Sequence, residues 1–327
     1  MAINYKDIII NHSEFQLLKT EKKNNKLTHA YMFESADKCL VENFSLLFSA
    51  LVMCNEENAP CFECVDCKKI DLDAHSDVMI FPKGKSVVVE DVKMMIDNSI
   101  LKPLEGDKKV FIFKDFSNAT IQAQNKLLKT LETPPDNVCI ILEVSNINSV
   151  LPTIISRCKR IKLAPLKQED IKAIVSSINR QVEADTIVEM CGGNLTRAIN
   201  FVENESFNDC YNLALFTLEN LKSSQTMLAV STKVMEKKDY LENYFEILIS
   251  LLRDILLIRC KRSAYIENKQ LKNNLESLAS DFNADCVDLI IKKIYETKKQ
   301  MEFNCNPTIC VDNLLLYILE VKHKCKQ

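Results

Sequence analysis

Glycine is scarce in this 327-residue sequence: there are four, Gly84, Gly106, Gly192 and Gly193, and tryptophan is missing altogether. A glycine-rich loop, the usual way to bring backbone amides up against a phosphate, therefore has almost nothing to be built from, because that approach needs residues without a Cβ. No apolar run nears the roughly 20 residues that span a bilayer, and Met1 to Ile10 lacks the basic-then-apolar order of a secretory leader. The expectation is a protein that stays in the cytoplasm and meets no membrane. A dominant charge is lacking too, with 42 Lys and Arg against 45 Asp and Glu and a net charge of -3. Without a basic field, a wide grip on nucleic acid would have to come from a partner.

Hydrophobic residues at 47% and charged residues at 27% give the balance of a folded chain. The length calls for two or three domains. Short apolar runs at His29 to Phe33, Asp77 to Phe81, Val110 to Phe113 and Val138 to Val144 alternate with helical patterns, which predicts a mostly parallel sheet. The clearest helices are Thr120 to Glu132, closed by Pro134-Pro135, and Val87 to Ile100, bounded by Pro82 and Pro103. Beyond Pro165 the strand-like runs stop. Lys167 to Asn204 reads as short helices broken at Gly192-Gly193, and apolar stripes in Tyr244 to Leu257, Val287 to Tyr295 and Val311 to Val321 predict a helical remainder. The boundaries expected are an α/β domain over 1–164, a small helical domain over 165–205 and a larger all-α domain over 206–327.

Cysteine is abundant, with 14 residues. Ten are scattered singly and are expected to be reduced and mostly buried. The other four, Cys54, Cys61, Cys64 and Cys67, form a C-x6-C-x2-C-x2-C group. Two residues between thiols let both reach one tetrahedral ion, and four thiolates leave no open position for water or substrate, so the group is read as a structural zinc site over 54–67. A redox pair is the competing reading, although it normally needs two reactive cysteines rather than four. His75 is a further potential ligand, but it is assigned to a loop or the start of a strand. Zinc suits four thiolates because it is redox-inert and accepts tetrahedral sulfur, and the spacing fits another thiophilic metal equally.

His29-Ala30-Tyr31-Met32-Phe33, the cysteine group, Asn125 to Pro135 (NKLLKTLETPP) and Leu151 to Cys158 (LPTIISRC) occur in the same order as in bacterial clamp-loader ATPase subunits. Over Lys26 to Ala198 the chain resembles that AAA+ family of the DNA polymerase III assembly. The resemblance implies an AAA+ α/β domain, a helical lid and a C-terminal oligomerisation collar, the last on Asn306-Pro307 and Asp312 to Leu316. In the family, a phosphate loop with a Lys and a Ser or Thr follows the first strand; here the segment is Glu34 to Glu42, without glycine, with Val41 at the lysine position, Glu42 at the hydroxyl position and Lys38 at a glycine position. An Asp-Glu pair for magnesium is replaced by Lys114-Asp115.

Both departures argue against hydrolysis and for similarity to the delta-prime kind of subunit, with no ATP bound by this chain. Ser156-Arg157-Cys158 matches the motif by which such a subunit presents an arginine to ATP on its neighbour, and Arg157 is the expected trans-acting finger. The plainer alternative has Arg157 packing at a domain edge. Asn146 and Arg197 stand at the family's two sensor positions and are expected to be structural relics or interface groups. The implied partners are gamma/tau-type and delta-type subunits, with the sliding clamp and primed DNA reached through the assembly. Two alternatives remain: an active gamma/tau-like ATPase with an irregular phosphate loop, and a zinc-knuckle nucleic-acid module. The second is disfavoured by Glu56, Glu57, Glu63 and Asp66 around the cysteines.

Overall fold

The computed structural model describes residues 5–82, 86–178, 184–203, 205–266, 268, 271–302 and 305–325. Gly84, the first four residues and short pieces of the helical stretches read beyond Lys167 lie outside them. The chain divides into two compact units, residues 1–166 with 194–196, and residues 167–193 with 197–327.

The first unit carries five parallel strands, β1 (Ala30–Glu34), β2 (Val78–Phe81), β3 (Lys109–Phe113), β4 (Val138–Val144) and β5 (Lys159–Lys162), in the order β2-β3-β4-β1-β5. Its helices are α1 (Tyr5–Ile10), α2 (Ser13–Lys23), α3 (Lys38–Met53), α4 (Val65–Asp71), α5 (Val89–Ile100), α6 (Ile121–Glu132) and α7 (Pro152–Ile155). Strands β3 and β4 are buried along their whole length, as central parallel strands covered on both faces must be. Four of the five strands coincide with the apolar runs in the sequence. The fifth, β5, is polar except for Ile161 because it is an edge strand with one buried position.

Helix α3 shows why the sheet closes where it does. Leu40, Phe44, Leu47, Phe48 and Leu51 recur at helical spacing on its buried face. Phe44 and Phe48 lie edge-on to Phe33 of β1, with centroids 4.9 and 5.3 Å apart, and Tyr31 meets Phe48 at 4.6 Å. Truncating any one of these rings to alanine would cost about 3–5 kcal/mol. The chain order turns back beside β1, which lies between β4 and β5, so the loops leaving the carboxyl ends of β1, β3 and β4 share one edge of the sheet. That is where open α/β sheets place their ligands.

The second unit is helical: α8 (Gln168–Ile178), α9 (Ala184–Cys191), α10 (Leu195–Glu203, whose first two residues group with the first unit), α11 (Glu205–Asn220), α12 (Ser224–Glu236), α13 (Leu241–Arg259), α14 (Lys272–Ala279), α15 (Ala284–Glu302) and α16 (Pro307–Cys325). Helix α13 is its centre and packs on α11, α14 and α15, while α16 packs on α12 and α15. A buried polar network ties α11 and α13 to the segment beyond them. Asn268 donates to Asp254 Oδ2 (2.6 Å) and Ser250 Oγ (3.1 Å), and its carbonyl accepts from Tyr211 OH (2.8 Å).

One expectation about thiols is corrected here. Cys286 on α15 is disulfide-bonded, not reduced. Its Sγ lies 3.9 Å from the Val321 carbonyl of α16, and sequence spacing does not disclose which thiols the packing of two helices brings together.

Candidate functional site

At the carboxyl edge of β1, the turn Ser35–Asp37 leads into α3. Asp37 caps the helix, its Oδ1 accepting from Leu40 N at 3.1 Å. The same carboxylate accepts from the Leu195 amide through Oδ2, and from Thr196 N (3.1 Å) and Thr196 Oγ1 (2.7 Å) through Oδ1. The Cys39 amide donates to Thr196 Oγ1 at 2.8 Å, and the Val41 amide bonds back to the Asp37 carbonyl at 3.1 Å.

Val41 is only 5% exposed and faces the core. One residue on, Glu42 points towards the loop after β3, where Lys114 Nζ meets its Oε2 at 3.2 Å; Lys38 Nζ lies 3.9 Å from its other oxygen. The residues at the two expected metal-binding positions therefore pair with each other. Glu143 on β4 lies beneath them, 2% exposed, and its Oε1 has no hydrogen-bond partner among the described residues. Burial pushes its carboxyl up to about 8; the Ser45 hydroxyl, Lys114 and Lys38 pull it down and the Glu42 charge adds to the rise. Asn146, after β4, accepts from Asn148 N (3.0 Å) and caps the following turn, while Arg197 sits half-buried on α10.

The four clustered cysteines converge. Cys54 ends α3, Cys64 caps α4 and Cys67 lies in its first turn. All four Sγ atoms lie within 4.8 Å of one another, and none is in a disulfide. Cys54 and Cys64 Sγ are 3.9 Å apart, against an edge of about 3.8 Å for a tetrahedron with 2.3 Å metal–sulfur bonds. The Cys64 and Cys67 amides donate to the sulfurs of Cys61 (3.3 Å) and Cys64 (3.4 Å). The Cys64 and Glu63 amides lower the Cys61 thiol to about 7, whereas burial raises those of Cys64 and Cys67. This donor set fits a thiophilic ion held for structure.

The surroundings brace the cluster. Lys22 of α2 donates to the carbonyls of Leu51 and Cys54, and burial lowers its pKa. His75 is not part of the group: its Nε2 is 3.4 Å from Asp66 and its Nδ1 accepts from the Asp77 amide at 3.1 Å. Asp77 in turn accepts from the amides of Leu104 (2.8 Å), Glu105 (2.7 Å) and Gly106 (3.1 Å). Burial would raise its carboxyl, but those amides outweigh it and hold it below the usual range.

Arg157 follows α7. Its Nη2 lies 2.5 Å from Glu132 Oε1 at the end of α6, and its Nη1 donates to the Thr153 carbonyl at 2.8 Å. Ser156 Oγ also donates to Thr153 O (3.1 Å), while Cys158 is buried, which raises its thiol to about 12. The guanidinium is one-third exposed, with both of its Nη groups engaged. Among the described residues, Arg157 makes no hydrogen bond or ion pair with the cysteine group or the β1 turn.

A parallel β2-β3-β4-β1-β5 sheet with its central helix rising from β1, in a chain whose second unit is helical, defines an AAA+-type fold. The pattern described as "DNA polymerase III, delta subunit" matches residues 10–167, and that described as "DNA polymerase III, delta subunit, C terminal" matches residues 211–320. The chain belongs to the clamp-loader family of bacterial DNA polymerase III, of the delta-prime and gamma/tau type. It is 25% identical to DNA polymerase III subunit delta' of Bacillus subtilis, across 98% of this chain and 100% of that one. It is 24% identical to the gamma subunit of Buchnera aphidicola from Acyrthosiphon pisum, across 80% of each. Among solved structures, a gamma subunit-related protein from Thermotoga maritima is 20% identical over 93% of this chain and 99% of that one, with a TM-score of 0.45. Among the described residues, no helix is long and apolar enough to cross a membrane.

Sequence reasoning missed Asp37, Glu143 and Lys22. Asp37 carried a readable signal, an N-cap residue ahead of an apolar helical run. Glu143 sat unnoticed inside an apolar strand, and the roles of Lys22 and of the Asp37–Thr196 contact depend on segments far apart in the chain.

Proposed function

We propose that the chain is a delta-prime-like subunit of the clamp loader that does not hydrolyse ATP and lends Arg157 to an ATP site on a neighbouring gamma/tau-type subunit while the sliding clamp is placed on primed DNA. The observation that carries this reading is the Lys114–Glu42 pair, 3.2 Å apart at the two positions where a metal-bound triphosphate would need a hydroxyl and a carboxylate. A cation fixed on Glu42 competes with magnesium, and Val41 offers no charge to phosphate. Arg157 suits the trans role because Glu132 orients its guanidinium while leaving it partly open, and its forked donors match phosphoryl oxygens.

In this reading, residues 165–205 form the lid, residues 206–327 the oligomerisation collar, and gamma/tau-type and delta-type subunits are the partners. Cys54, Cys61, Cys64 and Cys67 hold a zinc ion whose contribution is to cross-link the loop between α3 and α4. The decisive experiment is calorimetry of the purified chain with magnesium and ATP, together with its effect on ATP turnover by a gamma-type partner. No heat of binding with a stimulated partner supports the proposal; tight binding by the chain alone would overturn it.

A further inference from the structure

We propose that Asp37 is an internal ligand: its carboxylate occupies the oxyanion position at the start of α3 and fastens the Leu195–Thr196 segment to the β1 turn. The proposal builds on the view that this turn is closed to nucleotide, and it explains what closes it.

The N-terminus of a helix that follows a parallel strand presents unpaired amides and a positive partial charge, and it draws phosphoryl and other oxyanions. Here three of the amides at the start of α3 are already satisfied from within. The Leu40 amide goes to Asp37 Oδ1, the Cys39 amide to Thr196 Oγ1, and the Val41 amide to the Asp37 carbonyl. The Asp37 amide itself donates to Ser35 Oγ at 3.0 Å. A second helix start converges on the same carboxylate, because Leu195 and Thr196 open α10 and both amides point at Asp37. Thr196 Oγ1 relays between the two, accepting from Cys39 N while donating to Asp37 Oδ1.

Four donors from two helix termini therefore meet one carboxylate that is 6% exposed. An N-cap of ordinary purpose needs one or two such bonds. This one has the donor count and the electrostatics of a bound oxyanion, with the anion supplied by the chain itself. Removing the carboxylate leaves two positively polarised helix starts facing a gap of carboxylate size, which a small tetrahedral anion can fill.

The test is thermal unfolding of the full chain as wild type, Asp37→Ala and Asp37→Asn, in chloride and in inorganic phosphate at matched ionic strength. Asn268→Ala serves as an equally destabilised control for the general stabilising effect of phosphate. Asp37→Ala should melt several degrees below wild type in chloride and regain at least half of that loss in phosphate, with saturation, while the control gains no more than wild type. Asp37→Asn keeps the shape and one cap bond, so it should melt between the two and show little rescue.

If Asp37→Ala folds only in phosphate, recovery of soluble, cooperatively unfolding protein reads the same effect and supports the proposal. An unchanged melting temperature, or equal rescue of Asn268→Ala, would overturn it, as would failure of phosphate to restore Asp37→Ala. The outcome is separable from the proposed function, because ATP calorimetry on the wild-type chain tests that alone.

Discussion

At the residue scale, Glu143 is a carboxyl 2% exposed on a central strand, with one oxygen lacking a hydrogen-bond partner among the described residues. Burial pushes its carboxyl up to about 8 from the ordinary 4.5, so between those values the native state holds a proton that the unfolded state releases. Its contribution is therefore greatest below about pH 4.5, declines as pH rises towards 8 and is flat above that. Glu143→Gln should remove this slope, leave stability at pH 4 nearly unchanged and stabilise the chain at pH 8.5 by up to roughly 5 kcal/mol, at about 1.4 kcal/mol per unit. Denaturant midpoints measured across pH decide it, and a parallel slope in both proteins would show that Glu143 is not responsible.

Arg157 gives a contrasting expectation. An ion pair this exposed is worth about 0–1 kcal/mol, so Arg157→Ala should barely alter melting. The same change should slow ATP turnover by the assembled partners on the order of a hundredfold or more at the affected site. Equal turnover in a fully assembled ring would assign Arg157 to packing alone.

At the element scale, the metal proposed for the four thiols would tie together the stretch from the end of α3 through α4. Cys54 and Cys67 are buried at its two ends, and the short α4 has few apolar contacts of its own beyond Ile70. Cys67→Ser should lower the bound metal from one ion per chain to a trace, measured by elemental analysis, and should expose this segment to proteolysis while the sheet persists. A chain that purifies without metal yet resists protease there would reject the structural-ion reading.

Much of this scale was legible in the sequence. The cysteine spacing announced convergence, and β4 was plain because seven consecutive residues are buried. Strand β5 was not, since an edge strand with one buried side chain has no apolar signature. The Lys114–Glu42 pair was half legible: each residue was recognised as out of place in its motif, but that the two neutralise each other requires the loop after β3 to reach the first turn of α3. Cys286 was misread because helix packing decides thiol pairing.

For the molecule as a whole, the two units rely on different kinds of interior. The first is built around aromatic rings on β1 and α3, the second around α13 with a polar network at its heart. Asn268→Ala removes one side-chain donor each from Ser250 and from Asp254, which is 1% exposed and keeps the backbone amide of residue 268 as a donor. The expected loss is about 2–4 kcal/mol, read as a lower unfolding midpoint of the helical unit.

The Lys114–Glu42 pair also bears on reversibility. Placing a phosphate-binding lysine by Val41→Lys would set an ammonium into a position that is only 5% exposed. Restoring the hydroxyl by Glu42→Ser would strip Lys114 of its counter-charge, and restoring a carboxylate at 114 would set it against Glu42. On the proposed non-hydrolysing reading, each of these single changes leaves a charge unpaired or buried, so ATP chemistry would require several simultaneous changes.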